Sequence, residues 1–456
     1  MTAQTIEPMG AAPARRFLGQ PMGLAYLAFT EAWERFSYYG MTALLVLYMS
    51  QALFMPGHVE HIAGFATLHA GLEGVFGPLT PLALASQVYG LYTGLVYLTP
   101  VFGGMIADRW IGRRTAVIAG AVMMSAGHIA MAFDASFLLA LALLIVGCGL
   151  LKGNISVQVG GLYDEHDGAG RTRGFAIFST GINVGAVVGP LACGLLAQIY
   201  GWHAGFALAG CLMLLGLATY LAGYRHLPET HPAHRAATGT AQAPLDRRQW
   251  RVVVALIGVI AITIFQSISY SQNTNLGLVW IDRSVDLNLA GFHVPVAWFS
   301  SVDSAASIAV LPLLIWLWRR QAARGREPRE IDKIAIGAWM AAGANLLLVA
   351  ACLVGGRVSV LVPLVYDVIL GVGFMYYWPT VLGLVAGAAP PQVRATLMGV
   401  AFTSNFIANV FIGSIGALYE QMTPAAFWGL HAAIGAMGGI AAWLLRRPLE
   451  KVLLAD

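Results

Sequence analysis

The sequence predicts an all-α membrane protein with twelve transmembrane helices in two six-helix bundles. Three observations carry this. The 456 residues are 58% hydrophobic and only 11% charged, with a mean hydropathy of +0.70, whereas a soluble domain carries about 25% charged residues. Apolar runs long enough to cross a bilayer, roughly 20 residues each, recur along the chain. Lys and Arg fall almost entirely on one side of the alternating loops. A soluble enzyme, a disordered chain and an outer-membrane barrel are thereby excluded, the last because alternating strands give a weaker hydropathy signal.

Runs 1 to 6 lie near residues 22–50, 82–107, 115–133, 136–161, 174–199 and 203–223. Runs 7 to 12 lie near 251–281, 297–319, 333–355, 359–387, 395–419 and 424–446. The expected organisation is a cytosolic tail (1–21), an N-terminal bundle (22–223), a cytoplasmic linker (224–250), a C-terminal bundle (251–446) and a second tail (447–456). Of the 26 Lys and Arg, Arg35 and Lys152 lie inside runs, and Arg283 and Arg357 fall in loops on one side. The rest lie in the tails, the linker and the loops of the other side, so the positive-inside rule places both termini in the cytoplasm. The first outer loop, about 51–81, has neither Lys nor Arg. The net charge of +4 follows from this asymmetry and points to no nucleic-acid partner. Arg15-Arg16-Phe17-Leu18 looks like a twin-arginine export signal, but Glu31, Glu34 and Arg35 follow and no cleavage site does, so residues 1–20 are expected to stay cytosolic. Cys148, Cys193, Cys211 and Cys352 all sit in apolar runs and read as small hydrophobes. Six plus six helices with both ends inside is the layout of the major facilitator fold, whose substrate site lies between the halves at mid-membrane.

A charge near the membrane centre costs at least about 2.5–3.5 kcal/mol, so embedded ionisable residues are informative. They are Glu31, Glu34, Arg35, Lys152, Asp303 and Asp367. Glu31, Glu34, Arg35 and Tyr38 fall at i, i+3, i+4 and i+7, one stripe of run 1, and Thr42 rejoins it. Two carboxylates beside an arginine can exchange a proton if a second cation is near. Lys152 in run 4 is that cation; it can pair with Glu31 or Glu34, and protonating that carboxylate would free it. A permanent ion cluster that locks helices together is the alternative.

Several motifs carry a family resemblance. Residues 31–40, Glu-Ala-Trp-Glu-Arg-Phe-Ser-Tyr-Tyr-Gly, resemble the E-x-x-E-R-F-x-Y-Y-G signature of the proton-dependent oligopeptide transporters, the peptide/nitrate branch of the major facilitators. Residues 103–114, with Gly103, Gly104, Asp108, Arg109 and Gly112, resemble that family's loop between helices 2 and 3. Gly147, Gly149, Lys152 and Asn154 resemble the helix 4 lysine motif, with Gly153 in place of proline. Phe178-Ser179-Thr180-Gly181-Ile182-Asn183-Val184-Gly185 resembles the helix 5 signature, with Ser179 in place of tyrosine. The resemblance implies that Tyr97 faces substrate and that Tyr38, Tyr39 and Asn183 offer polar groups to a peptide backbone. Tyr39 lies about 80° off the stripe and has a second reading, packing between helices. Asp108 and Arg109 read either as a gate latch or as a solvated loop end. Gly103, Gly104 and Gly112 are expected to permit a close approach and a turn.

The C-terminal half departs from the family's charges. Ser271 stands where the resemblance implies a glutamate in helix 7, and Thr42 where it implies that glutamate's arginine partner. In Gly373-Phe374-Met375-Tyr376-Tyr377-Trp378-Pro379, Phe374 replaces the glutamate that faces a peptide's amino terminus. Ala401 replaces a tryptophan, while Ser404 remains. Two other carboxylates appear. Asp303 stands where the family carries Asn, near Ser300, Ser304 and Ser307, and is expected to supply the lost charge; a capped structural Asp is the other reading. Asp367 lies seven residues before Phe374, on the same helix face or near the outer boundary. The segment 266–275, Gln-Ser-Ile-Ser-Tyr-Ser-Gln-Asn-Thr-Asn, is too polar to face lipid and should line a wet cavity, with Gln272 and Asn275 as substrate contacts. His128 and His431 read as packed histidines. His58, His61, His69 and Glu60 in the first outer loop lack a convincing ligand spacing, so no metal is expected.

The expected function is a proton-coupled symporter that imports di- and tripeptides or peptide-like solutes. Glu31, Glu34, Arg35, Lys152 and Asp303 couple the proton. Tyr38, Tyr39, Tyr97, Asn183, Gln272, Asn275 and Ser404 bind substrate, and Asp108 and Arg109 form a gate. The partners are a peptide-like solute, protons and the lipid bilayer. The protein is expected as a monomer in a bacterial inner membrane, with no cofactor beyond the co-transported proton and no G-x-x-x-x-G-K-[ST] loop for a nucleotide. The rivals are a same-family transporter of another small polar or anionic solute and an intramembrane enzyme. The latter lacks H-E-x-x-H, G-x-S-x-G and clustered metal ligands. Because Phe374 is apolar, free and N-acetylated dipeptides are expected to compete more equally than the resemblance implies for typical relatives, unless another acid holds the amine.

Overall fold

The computed structural model describes residues 16–164, 167–228 and 244–453. Most of the expected N-terminal tail, linker residues 229–243 and residues 454–456 lie outside the described residues. The described chain forms fourteen α-helices. They are α1 (Met22–Tyr48), α2 (Phe65–Phe76), α3 (Pro81–Ile106), α4 (Arg113–Ala130), α5 (Phe137–Gly160), α6 (Gly168–Tyr200) and α7 (Trp202–Gly223). After the linker come α8 (Arg247–Ser271), α9 (Leu276–Ser284), α10 (Val302–Ala322), α11 (Glu330–Val354), α12 (Leu361–Ala388), α13 (Arg394–Gly416) and α14 (Pro424–Leu453). Ten helical segments among the described residues are long and apolar enough to cross a membrane. Of the remaining helices, α1 is long but carries Glu31, Glu34 and Arg35 in its middle, and α4 has 18 residues and opens on Arg113-Arg114. Short two-residue strand pairs decorate the loops, such as Asn288–Leu289 with Phe292–His293.

Local chemistry sets the helix ends. Thr80 caps α3, its hydroxyl accepting from the Ala83 amide at 3.2 Å, with Pro81 in the first turn where no N–H is needed. Asp246 and Gln249 form a reciprocal capping box on α8 at 2.7 and 3.0 Å. Gly112 supplies the φ of +76° that turns the chain into α4. Gly103 brings α3 against α5: a Cβ there would stand 2.1 Å from the Gly149 carbonyl. Gly104, expected to share that role, has open space beside it.

Two expectations are corrected. Run 7 is not one helix: α8 ends at Ser271, a 3-10 turn covers Gln272–Thr274, and Asn275 adopts φ −100° and ψ −103° before α9 begins. Consecutive short polar side chains there compete with the backbone for hydrogen bonds and favour a break. The first outer loop is not all loop, for α2 lies within it, bracketed by Gly64 and Gly77 at φ +79° and +78°. Its Leu72 packs into the main core.

Helix α1 packs on α6 and α7, and α11 on α12 and α14. Across the linker, α3 packs on α13. Hydrogen bonds joining the helices before residue 229 to those after 243 gather toward the C-terminal end of α1. Gln51 Nε2 donates to Asp282 at 2.9 Å, Thr80 Oγ1 to Glu420 at 2.5 Å and Asn275 Nδ2 to Ser86 Oγ at 2.7 Å. Thr93 Oγ1 donates to Asn409 Oδ1 at 2.9 Å and Ser301 Oγ to the Val187 carbonyl at 2.7 Å.

Candidate functional site

Below that seal the two sets of helices part around a cavity of about 210 Å³. That is room for a dozen or so water-sized positions, at roughly 15 Å³ each. Tyr38, Tyr39 and Thr42 of α1, Tyr89, Thr93 and Tyr97 of α3 and Asn183 of α6 form one wall. Tyr270 and Ser271 of α8, Asn273 and Thr274 of the turn, Ser300, Asp303, Ser304 and Ser307, Phe374 of α12 and Asn409 of α13 form the other. After Ser271 the unwound turn brings Asn273 and Thr274 to the cavity beside Tyr270 and Ser271. Thr42 and Ser271, the two positions where an ion pair is missing, both line it.

Behind the first wall lies a buried charge cluster. Arg35 Nε is 3.1 Å from Glu31 Oε1 and also ion-paired with Glu34 Oε2. Glu31, Glu34 and Arg35 are each no more than 2% exposed. The Arg35 guanidinium lies 5.4 Å from the Tyr38 ring centroid, and Tyr38 meets Tyr39 edge-on at 5.2 Å. The stripe on run 1 is thus real, with its acidic end buried and its tyrosine end in the cavity. Lys152 does not make the expected pair. Its Nζ sits 4.7 Å from the Tyr97 ring centroid, and among the described residues no carboxylate lies within 4.0 Å of it. Arg35 already faces both glutamates, and the Tyr97 face gives the ammonium a neutral partner.

On the opposite wall Asp303 is 6% exposed and held by neutral donors. Tyr270 Oη donates to Oδ2 at 2.5 Å, while the Ser304 amide and hydroxyl donate to Oδ1 at 2.6 and 3.3 Å. Phe374 stacks on the Tyr270 ring at 5.4 Å. The carboxylate therefore sits on the second residue of α10, beside an aromatic pair, with no cation in ion-pair reach among the described residues.

Other expected residues fall elsewhere. Gln272, Asn275 and Ser404 do not line the cavity. Gln272 is fully buried with both amide atoms unpartnered, Asn275 bonds Ser86 in the seal, and Ser404 Oγ donates to the Ala401 carbonyl at 2.6 Å. The helix break rotates alternate members of the polar segment away, which continuous helical spacing cannot foretell. Asp367 is 3% exposed and is reached by Asn273, which itself lines the cavity. Asp108 pairs with Arg113 at 3.0 Å on the surface, at the entry to α4. His431 packs between Phe427 and Trp428, and His128 is buried with both nitrogens unpartnered. Tyr89, Thr93 and Asn409 were not anticipated. Tyr89 and Thr93 fall four residues apart in register with Tyr97, a periodicity legible on run 2; Asn409 is a lone residue with no such signal.

Residues 114–245 and 241–429 match the model of the POT family. The chain is 29% identical to the uncharacterized transporter YclF of Bacillus subtilis (strain 168), covering 97% of each. It is 27% identical to a di-/tripeptide transporter of Lactococcus lactis subsp. cremoris, covering 96% of this chain and 98% of that one. Among solved structures, it superposes on the peptide transporter POT in complex with sulfate with a TM-score of 0.85 at 27% identity, covering 97% of this chain and 98% of that one. A variant of the peptide transporter POT in complex with alafosfalin superposes with a TM-score of 0.82 at 27% identity, covering 97% of both chains.

Proposed function

The chain belongs to the POT family, and from that premise we propose that it is a proton-coupled symporter of di- and tripeptides or peptide-like solutes. It works by alternating access, bringing solute into the cytoplasm. Its relatives are transporters and not enzymes. One observation carries the reading: a cavity shared by both sets of helices abuts the Glu31–Arg35–Glu34 cluster through Tyr38, and Lys152 through Tyr97. A proton on Glu31 or Glu34 removes one of the two charges that hold Arg35. Arg35 then keeps a single counter-ion, and with Lys152, one tyrosine away, it can answer a charge arriving in the cavity. Tyr38, Tyr39, Tyr97 and Asn183 hold the solute from one wall, and Asp303 holds it from the other.

In this reading α1 and α4 also span the bilayer, giving twelve spans in two six-helix halves with both termini cytoplasmic. Arg35 and its two glutamates neutralise much of the charge that α1 would carry into lipid, which supports its spanning. The seal toward the C-terminal end of α1 then closes the outer side, and the cavity belongs to a cytoplasm-facing state. The protein acts as a monomer in a bacterial inner membrane, its only co-transported ion the proton. Asp108 and Arg109 sit at the cytoplasmic loop, where Asp108–Arg113 acts as a latch. Against the same-family alternative, an anionic solute, stands Asp303 in the cavity wall, where no Lys or Arg is found among the described lining residues.

The test is uptake of labelled dipeptide into proteoliposomes under an imposed proton gradient, with dipeptides, tripeptides and nitrate as competitors. Accumulation that collapses with a protonophore and is blocked by peptides supports the reading. Inhibition by nitrate alone sinks it.

A further inference from the structure

Two buried acids, Asp303 of α10 and Asp367 of α12, are furnished in different ways. Asp303 receives the Tyr270 hydroxyl, the Ser304 amide and the Ser304 hydroxyl. Asp367 is 3% exposed and is reached by the Asn273 side chain, and its Oδ2 has no hydrogen-bond partner among the described residues. An ionised carboxylate offers about four acceptor sites, and burying one without donors is costly. A neutral carboxylic acid carries much less of that cost. The donors present therefore suit a charge on Asp303 and a proton on Asp367.

The surroundings favour the same division. Gly371, one turn further along α12, lies so close to α10 that a Cβ there would stand 2.3 Å from the Asp303 carbonyl. Ser307 Oγ donates to the Gly371 carbonyl at 2.9 Å. The two acids stand near enough to act on each other, and two negative charges so placed repel. Among the described residues no base is in ion-pair reach of Asp367. Apart from Asp303, the charged residues of α8, α10, α11 and α13 lie within two turns of the helix ends. Arg357, in the loop before α12, is exposed. From α14, Trp428 meets the Tyr366 ring at 6.2 Å, and His431 touches Trp428 while its Nδ1 bonds to the Phe427 carbonyl. Asn273 belongs to the turn where α8 breaks and lines the cavity, so it joins Asp367 to cavity water.

We propose that Asp367 is a second proton-carrying site of the transport cycle, loaded and emptied through the cavity when Asn273 moves off it. The release is a plain proton transfer. The Asp367 O–H bond breaks, the proton passes to a cavity water, and the carboxylate keeps the electron pair. The proposal rests on the proton-coupled reading and deepens it: one proton at Glu31 or Glu34 is joined by another at Asp367 for each solute moved.

The first measurement needs no transport. Infrared spectra of the purified full-length protein at about pH 7 are compared for the wild type and Asp367→Asn. A protonated-carboxyl band that shifts in deuterium oxide is expected in the wild type and missing from the variant. The same band in both overturns the proposal. Should Asp367→Asn fail to fold, Asn273→Ala, which admits cavity water to the acid, must weaken that band or the proposal falls.

The second measurement counts protons. In proteoliposomes held at zero membrane potential, a tenfold gradient of alanyl-alanine is opposed by increasing pH gradients until net flux stops. Each proton per solute contributes a factor of ten per pH unit, so flux is expected to stop at about half a unit in the wild type and about one unit in Asp367→Asn. Asp367→Glu, which keeps an ionisable group, is expected to stay at the wild-type value. A shared balance point in the wild type and Asp367→Asn leaves the symport reading intact and overturns the second site. A wild-type flux that no pH gradient stops overturns the symport reading itself.

Discussion

The two walls of the cavity handle buried charge in opposite ways. On the α1 side, Arg35 sits against Glu31 and Glu34, so two acids and a base are taken out of water together. On the α10 side, Asp303 is buried with Tyr270 and Ser304 and, among the described residues, no base in ion-pair reach. In the cluster Arg35 offsets part of the cost of burying the two acids, and removing any one member leaves a buried charge uncompensated. A lone carboxylate surrounded by neutral donors keeps a surplus charge that only a proton or a cationic group from outside can cancel. This contrast is why we propose coupling for the α1 side and recognition for the α10 side.

The sharpest way to break this comparison is to remove the shared base. Arg35→Gln leaves two buried carboxylates facing each other, and removal of one partner from a buried ion pair costs about 3–5 kcal/mol. The expected result is a large fall in melting temperature of the purified protein; an unchanged melting curve would mean the cluster is not a structural unit. Next in size is Lys152→Ala, expected to abolish gradient-driven accumulation while leaving counterflow exchange measurable. Lys152 touches neither glutamate in this state, so its part must be played in another. Accumulation at wild-type level would confine coupling to the α1 cluster.

A smaller effect is expected on the other wall. Phe374→Glu places a second carboxylate beside Tyr270 and Asp303. Like charges so close should weaken the folded protein by about 1–3 kcal/mol, offset when a cationic ligand is added. A thermal-shift titration that shows no ligand rescue would count against an amine site there. The smallest effect belongs to the seal. Thr93→Val deletes the bond to Asn409 Oδ1, and such bonds between membrane helices average about 0.6 kcal/mol. That corresponds to a shift of two- to threefold toward an outward-open state, readable as faster labelling of a cysteine placed at Asn183.

The physical limits of sequence reading show in particular residues. Glu31, Glu34, Arg35 and Tyr38 were legible as one face because helical spacing fixes direction over a few residues. Lys152 was legible as a cation inside an apolar run but not in its partner, since a flexible four-carbon stem can reach either an acid or a ring. Tyr89 and Thr93 were legible in register with Tyr97, while Asn409 needed the packing of α13 on α3. Gln272 and Asn275 were misplaced because the helix they were counted on stops at Ser271.

By itself the sequence determined that the chain is helical and built for lipid, because apolar run length and charge exclusion act residue by residue. It also determined which ionisable groups would be buried, because a charge inside an apolar run has nowhere else to go. Only the tertiary structure decided how those groups pair. Arg35 meets two acids on its own helix, whereas Asp303 is answered by a hydroxyl from α8 and by its own neighbour, Ser304. Pairing depends on distances of a few ångströms between helices far apart in sequence, and on where α8 unwinds. Neither is set by local composition, since both arise from the packing of one half against the other.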